Sequence, residues 1–308
     1  MKRRRGGRRE EESGRKLRWA SLMLLAFVAG LLAIGVAVLM PGGEGGNGPE
    51  SRAEADSAAP PPVSGETGDA APAEPETPPS EELPPRLAIV VDDGGYDPAR
   101  DAEWLKFPEK ITLAVIPFGP SSRRLARSAH ERGFGVLIYV PMEPEAPVSD
   151  RTEGVRLRRG MSREEMNALL GRMIEENPWA TGVSNYMGSA FTADLESMAT
   201  LVSLLKSRGL FFLDSVTTPR SVAVLAALRA GLPVTRRDVF LDAGIPPEEM
   251  RSRWEEAIAT AKEKGKAVLV CHGRKESFRT ILDLVPDLEA EGIVAVTVEE
   301  LLAGRRTP

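Results

Sequence analysis

Short apolar runs alternating with stretches of helical periodicity constrain this 308-residue chain most. The runs are Leu87 to Asp92, Ile111 to Ile116, Gly135 to Val140, Thr181 to Asn185, Leu210 to Asp214, Val239 to Leu241, Ala267 to Cys271 and Ile293 to Val296. Between them, apolar residues recur at helical spacing in Ser121 to Arg132, Ser162 to Glu176, Asp194 to Arg208, Pro219 to Ala230, Pro247 to Lys264 and Ser277 to Glu291. Gly133, Gly209, Gly231, Gly265 and Gly292 each follow a helical stretch, where a left-handed residue ends a helix. Strands apolar on both faces and joined through helices build a parallel sheet. The pattern therefore predicts one α/β domain over 86–308, its sheet closed into a barrel or nearly so.

The first 85 residues are of another kind. Residues 1–18 carry nine Lys or Arg against three Glu, and Trp19 to Met40 are 22 residues without a charge. That length crosses a hydrocarbon core of about 30 Å as a helix. Bases lying only before it put the N-terminus in the cytoplasm and the rest outside. The expectation is a membrane-anchored protein with an extracytoplasmic head; a cleaved leader and secretion are the alternative. Residues 41–85 carry ten acids against the single base Arg52 and almost no large apolar side chains, the composition of a disordered tether.

The net charge of −5 gives no reason to expect nucleic acid. No glycine-rich phosphate fingerprint follows a strand, which disfavours a nucleotide. One cysteine, Cys271, excludes an internal disulfide and a thiolate zinc cluster. With only His130 and His272 in the chain, any metal site leans on carboxylates, amides, hydroxyls or water.

Polar residues gather at strand ends. Leu87 to Val91 lead into Asp92 and Asp93, then Gly94-Gly95. Neighbouring strand residues point to opposite sides, so both carboxylates face one hollow only if the strand bends between them. The fourth run ends in Asn185, followed by Tyr186 and Ser189; the fifth ends in Asp214; Asp242 follows the sixth and His272 the seventh. Each alone reads as a cap or a structural residue. Their repeated placement where βα barrels carry chemistry makes them candidate site residues.

These segments resemble the divergent polysaccharide deacetylases of bacterial envelopes. The likeness covers about Arg86 to Leu302 and rests on Val-Asp-Asp-Gly-Gly at 91–95, Leu-Ala-Val-Ile-Pro-Phe at 113–118 and Gly-Val-Ser-Asn-Tyr-Met-Gly-Ser-Ala-Phe-Thr at 182–192. It continues through Leu-Phe-Phe-Leu-Asp-Ser-Val-Thr-Thr at 210–218, Arg-Asp-Val-Phe-Leu-Asp at 237–242 and Cys-His-Gly at 271–273. The resemblance implies an incomplete or distorted (β/α) barrel and a divalent metal, zinc first, held by Asp93 and His272. It further implies Asp92 and Asp214 as catalytic groups, and Asn185, Tyr186, Ser189 and Asp242 as substrate-binding ones. Tyr186 stands where the family commonly has His, and a neutral phenol is a poor zinc ligand.

Three readings follow. The first is a metal-dependent deacetylase of acetylated envelope glycan or a peptidoglycan-like polymer. The second is a glycan-binding or scaffolding head that has lost its metal, favoured by Tyr186. The third is a glycoside hydrolase pairing Asp92 with Asp214 or Asp242.

Overall fold

The structure is a computed structural model and describes residues 83–304. The basic segment, the apolar segment 19–40 and the linker up to residue 82 lie outside the described residues. No helix among the described residues is long and apolar enough to cross a membrane.

The strands are β1 (Arg86–Gly94), β2 (Thr112–Val115), β3 (Gly135–Met142), β4 (Gly182–Met187), β5 (Phe211–Asp214), β6 (Val234–Arg236), β7 (Val239–Phe240), β8 (Lys266–His272) and β9 (Val294–Val296). The α-helices are α1 (Pro98–Trp104), α2 (Ser122–Glu131), α3 (Arg163–Glu176), α4 (Leu195–Lys206), α5 (Ala223–Ala230), α6 (Met250–Lys264), α7 (Lys275–Leu284), α8 (Pro286–Ala290) and α9 (Val298–Ala303). The predicted alternation is present. It differs where signals are short or interrupted. Pro286, which has no N–H to donate, splits the expected helix 277–291 into α7 and α8. The unforeseen α1 is only seven residues long and is started by Asp97, whose carboxylate accepts from the N–H groups of Ala99 and Arg100, both at 3.1 Å.

All strand pairs are parallel, in the order β6-β5-β4-β3-β2-β1-β8-β7, with β9 also beside β1. The chain itself closes the curl. Arg237 N–H donates to the Asp214 carbonyl and Asp238 N–H to the Val268 carbonyl, each at 2.9 Å. One extended segment, 234–240, thus pairs with β5 through its first half and with β8 through its second. The sheet is a curled, distorted barrel, as predicted.

Two-residue alternation sorts the side chains. Ala88, Val90, Leu137, Leu213, Val268 and Val270 form the inner cluster, while Leu87, Ile89 and Val91 pack outward against the helices. Val296, Val298 and Leu301 enter the inner cluster from β9 and α9, and β9 pairs only with the start of β1, Arg86 to Ala88. The N-terminal end of the barrel is therefore plugged with apolar side chains, each fully buried one worth about 1.5–3 kcal/mol. The C-terminal end is left for polar residues.

Candidate active site

The open end is built from irregular backbone. Val91 on β1 is opposite Leu113 of β2, but Gly94 is opposite Val115, so β1 carries an extra residue. This bulge contains Asp93, whose φ of 63° is left-handed. It resolves the problem of adjacent carboxylates: Asp92 follows Ala88 and Val90 to the inner side, while Asp93 lines a cleft beside the mouth. Gly95 follows at φ +103°, and a Cβ there would run into the Ser122 hydroxyl. Phe118, Met187 and Val216 also have positive φ, of 64°, 55° and 50°. All four non-glycine cases among the described residues thus lie within three residues of the C-terminal end of a strand. Each costs about 1–3 kcal/mol, and such strain concentrates at functional sites.

Asp92 and His272 are direct partners across β1 and β8. Tyr139 donates its hydroxyl to Asp92 Oδ2 at 2.8 Å, and Asp92 Oδ1 is buried without a partner. Burial pushes the Asp92 carboxyl up to about 8, against the pull of the Tyr139 hydrogen bond. His272 Nδ1 is 2.9 Å from Asp242 Oδ1, and Asp242 also accepts from the His272 backbone N–H and, at 2.6 Å, from the Ser277 hydroxyl. Burial disfavours charge on the imidazole, but the Asp242 carboxylate outweighs it and His272 is raised. Asp242 is lowered: its burial works upward, and the hydrogen bonds from His272 and Ser277 overcome it. The Phe240 ring lies 4.9 Å from that of His272, and the Arg237 guanidinium 5.0 Å from the Phe240 ring.

On the other side of β1, Tyr186 meets Tyr139 edge to face at 5.3 Å and donates to Asp150 Oδ2 at 3.3 Å. Asp150 is itself bound by Thr152 and, at 2.9 Å, by the buried Arg156. Burial and the nearby Asp150 and Asp93 push the Tyr186 phenol up to about 12. Asp93, Tyr96, Arg100, Asp150, Arg151 and Tyr186 line a cleft of about 600 Å³.

Other expected site residues have other partners. Asn185 alternates to the outer side, where its Oδ1 accepts from Ser215 N–H at 2.8 Å and its amide nitrogen donates to the Met187 carbonyl at 2.9 Å. Ser189 accepts from the Glu145 N–H at 2.9 Å. Asp214 spends one oxygen on Val216 N–H at 2.8 Å and the other on the Ser221 hydroxyl at 2.7 Å. These three brace loops. Asp214 and Asp242, the acids expected to pair with Asp92 in a glycoside hydrolase, are each held by two or more hydrogen bonds.

A catalytic zinc site takes three protein ligands as a rule. Asp93 and the remaining nitrogen of His272 supply two, and Tyr186 stays a neutral phenol at pH 7. Among the described residues no group of three or more His, Cys, Asp or Glu is gathered to hold a metal ion. The donor set does not fit the divalent-metal centre that the resemblance implies.

The family model for divergent polysaccharide deacetylases matches residues 89–302. The chain belongs to that family. The uncharacterized protein YibQ of Escherichia coli K12 is 34% identical to this chain over 219 residues, which is 70% of this chain and 67% of YibQ. An uncharacterized Haemophilus influenzae protein is 34% identical over 196 residues, 64% of this chain and 69% of that one. The crystal structure of the uncharacterized protein ATU2773 from Agrobacterium tumefaciens C58 shares 25% identity at a TM-score of 0.67, covering 72% of this chain and 91% of that one.

Three residues of the mouth carry no signal of a role in the sequence. Tyr139 was one more apolar-run residue until alternation set it inside; Asp150 sits in a loop with no periodic signal. Arg237 opens the Arg-Asp-Val-Phe-Leu-Asp segment at 237–242. The structure has it donating to the carbonyls of Ser215 at 2.9 Å and Val216 at 3.1 Å, which holds the strained Val216 in place.

Proposed function

We propose that the barrel is a carbohydrate deacetylase head that removes acetyl groups from envelope polysaccharide, acetyl esters in preference to acetamides, using Asp92 and His272 as base and acid. One observation carries this reading: the two side chains are cross-strand partners, and His272 is held by a buried carboxylate. Membership of the family supports a polysaccharide as substrate.

In the proposed reaction Asp92 takes a proton from water as the water oxygen adds to the acetyl carbonyl. The bond from that carbon to the sugar oxygen then breaks, and His272 gives its proton to the departing oxygen. Acetate and a free sugar hydroxyl result. Both groups must hold the right charge together. With Asp92 near 8, about one-tenth of it is ionised at pH 7, while the raised His272 stays protonated longer than a free imidazole. An acetamide demands more stabilisation of the oxyanion and a harder leaving group. The donor set gives no three-ligand metal for that purpose, so esters are the better substrate. The uncharged segment 19–40, with all its flanking bases before it, supports an anchored head outside the cytoplasm.

The test is acetate release by the full-length protein from O-acetylated and N-acetylated polysaccharide, with and without a chelator. Release from the ester that survives chelation and is lost in Asp92→Asn and His272→Gln is expected. The Tyr186 to Asp150 bond favours a second reading, a glycan-binding head without catalysis. Retention of the polymer without release of acetate selects it.

A further inference from the structure

The cleft beside the mouth has an imbalance of hydrogen-bonding capacity. Of its three acids, Asp97 accepts through Oδ1 from the N–H groups of Ala99 and Arg100, Asp150 is filled by Thr152, Arg156 and Tyr186, and Asp93 is open. Its two arginines are largely open. The Arg151 side chain makes no hydrogen bond or ion pair among the described residues and is held instead 4.7 Å over the Tyr96 ring. Arg100 has one side-chain bond, from Nη2 to the Asp93 carbonyl at 3.1 Å, and no carboxylate partner among the described residues. Stacking on an aromatic and a single backbone anchor both fix a guanidinium while leaving most of its five N–H donors open.

The two guanidinium groups come from separate walls, Arg100 from α1 and Arg151 from the loop after β3, and they face one space of about 600 Å³. That volume lies inside the range of about 300–1,000 Å³ typical of small-molecule sites. Planar donors of this kind match a carboxylate with two parallel hydrogen bonds. Asp93 and Tyr186 line the same space, which joins it to the proposed catalytic mouth. We infer that the cleft is a subsite for a carboxylate-bearing sugar, so that the polysaccharide recognised is anionic, with a hexuronate or similar acid residue next to the acetylated one. The inference rests on the glycan reading above and adds the charge of the substrate to it.

The test is titration of the full-length protein with a galacturonate oligomer and with an uncharged N-acetylglucosamine oligomer of equal length, at low and at high salt. The acidic oligomer is expected to bind at least tenfold tighter, and salt is expected to reduce that advantage. Arg151→Ala lies on an exposed side chain, and Arg100→Gln keeps the side chain's length; each is expected to weaken the acidic oligomer about tenfold and leave the uncharged one unchanged. Arg151→Lys restores charge without the planar fork and should recover only part. Equal binding of the two oligomers, binding of neither, or variants that weaken both alike overturns the inference. Acetate release is followed in parallel. Equal turnover of acidic and uncharged acetylated oligomers removes the inference and leaves the deacetylase reading standing; selective binding of the acidic oligomer without any turnover does the reverse.

Discussion

His272 ends β8, the strand beside β1, and Tyr186 lies near the end of β4, three strands from β1 in the other direction. Each is a polar aromatic ring at the end of a parallel strand, and each is tied to an aspartate from another segment, His272 to Asp242 and Tyr186 to Asp150. The outcomes differ. The Asp242 carboxylate raises an imidazole that changes charge near neutrality, so that side of the mouth can exchange a proton. Burial, joined by the same kind of partner, raises a phenol to about 12, so the Tyr186 side exchanges none in the ordinary pH range and serves as a strut between β4 and the loop after β3. An identical structural device thus yields a chemical group or an inert one according to the intrinsic pKa of the ring it holds.

The largest expected effect tests whether the active side depends on Asp92. Asp92→Asn should lower acetate release about 10³-fold, within the 10²–10⁴ range of positioned acid–base groups. The same variant has a stability signature. The folded pKa of Asp92 lies above its unfolded value of 3.8, so the folded state holds that proton more tightly. Its contribution is full below about pH 4 and is lost as pH rises through about 8. Asp92→Asn should therefore be more stable than the parent at pH 9, on the order of 3 kcal/mol in denaturant unfolding, with the gap closing toward pH 4.

A smaller effect separates the two aspartates. Asp242→Asn removes the carboxylate that raises His272, so the alkaline limb of the rate profile should move to lower pH, with activity down about tenfold at pH 8. Asp150→Asn should leave both limbs where they are. Least of all is Tyr186→Phe, which loses one partly exposed hydrogen bond worth about 0.5–1 kcal/mol. Its expected signature is faster amide exchange in the loop 143–161 at nearly parental activity.

The fold was legible because continuous apolar runs and helix-ending glycines report local chemistry. Gly231 and Gly265, for example, do end α5 and α6 at φ of 64° and 72°. Elements shorter than two or three turns were not, since α1 and α9 rest on caps rather than on periodicity. The site was half legible. Asp92 and His272 were marked by lying at strand ends, and the bulge at Asp93 was foreseeable from the paired glycines after it. Asn185 and Asp214 looked equivalent to them, yet alternation sets both on the outer side, one residue out of step with Tyr186 and Leu213. Pairings such as Asp242 with His272 and Asp150 with Tyr186 depend on tertiary register, which no local pattern encodes. The metal that the resemblance implies has Asp93 and His272 as its donors here, while Tyr186, a phenol holding Asp150, stands where the family commonly has an imidazole.

The most direct measurement is an NMR titration of His272 in the parent, in Asp93→Asn and in Asp242→Asn. The expected result is a His272 that titrates above its ordinary value of 6.5, falls in Asp242→Asn, and falls by a smaller amount in Asp93→Asn. A His272 that titrates at its ordinary value and ignores both substitutions would mean that the three groups do not share one mouth.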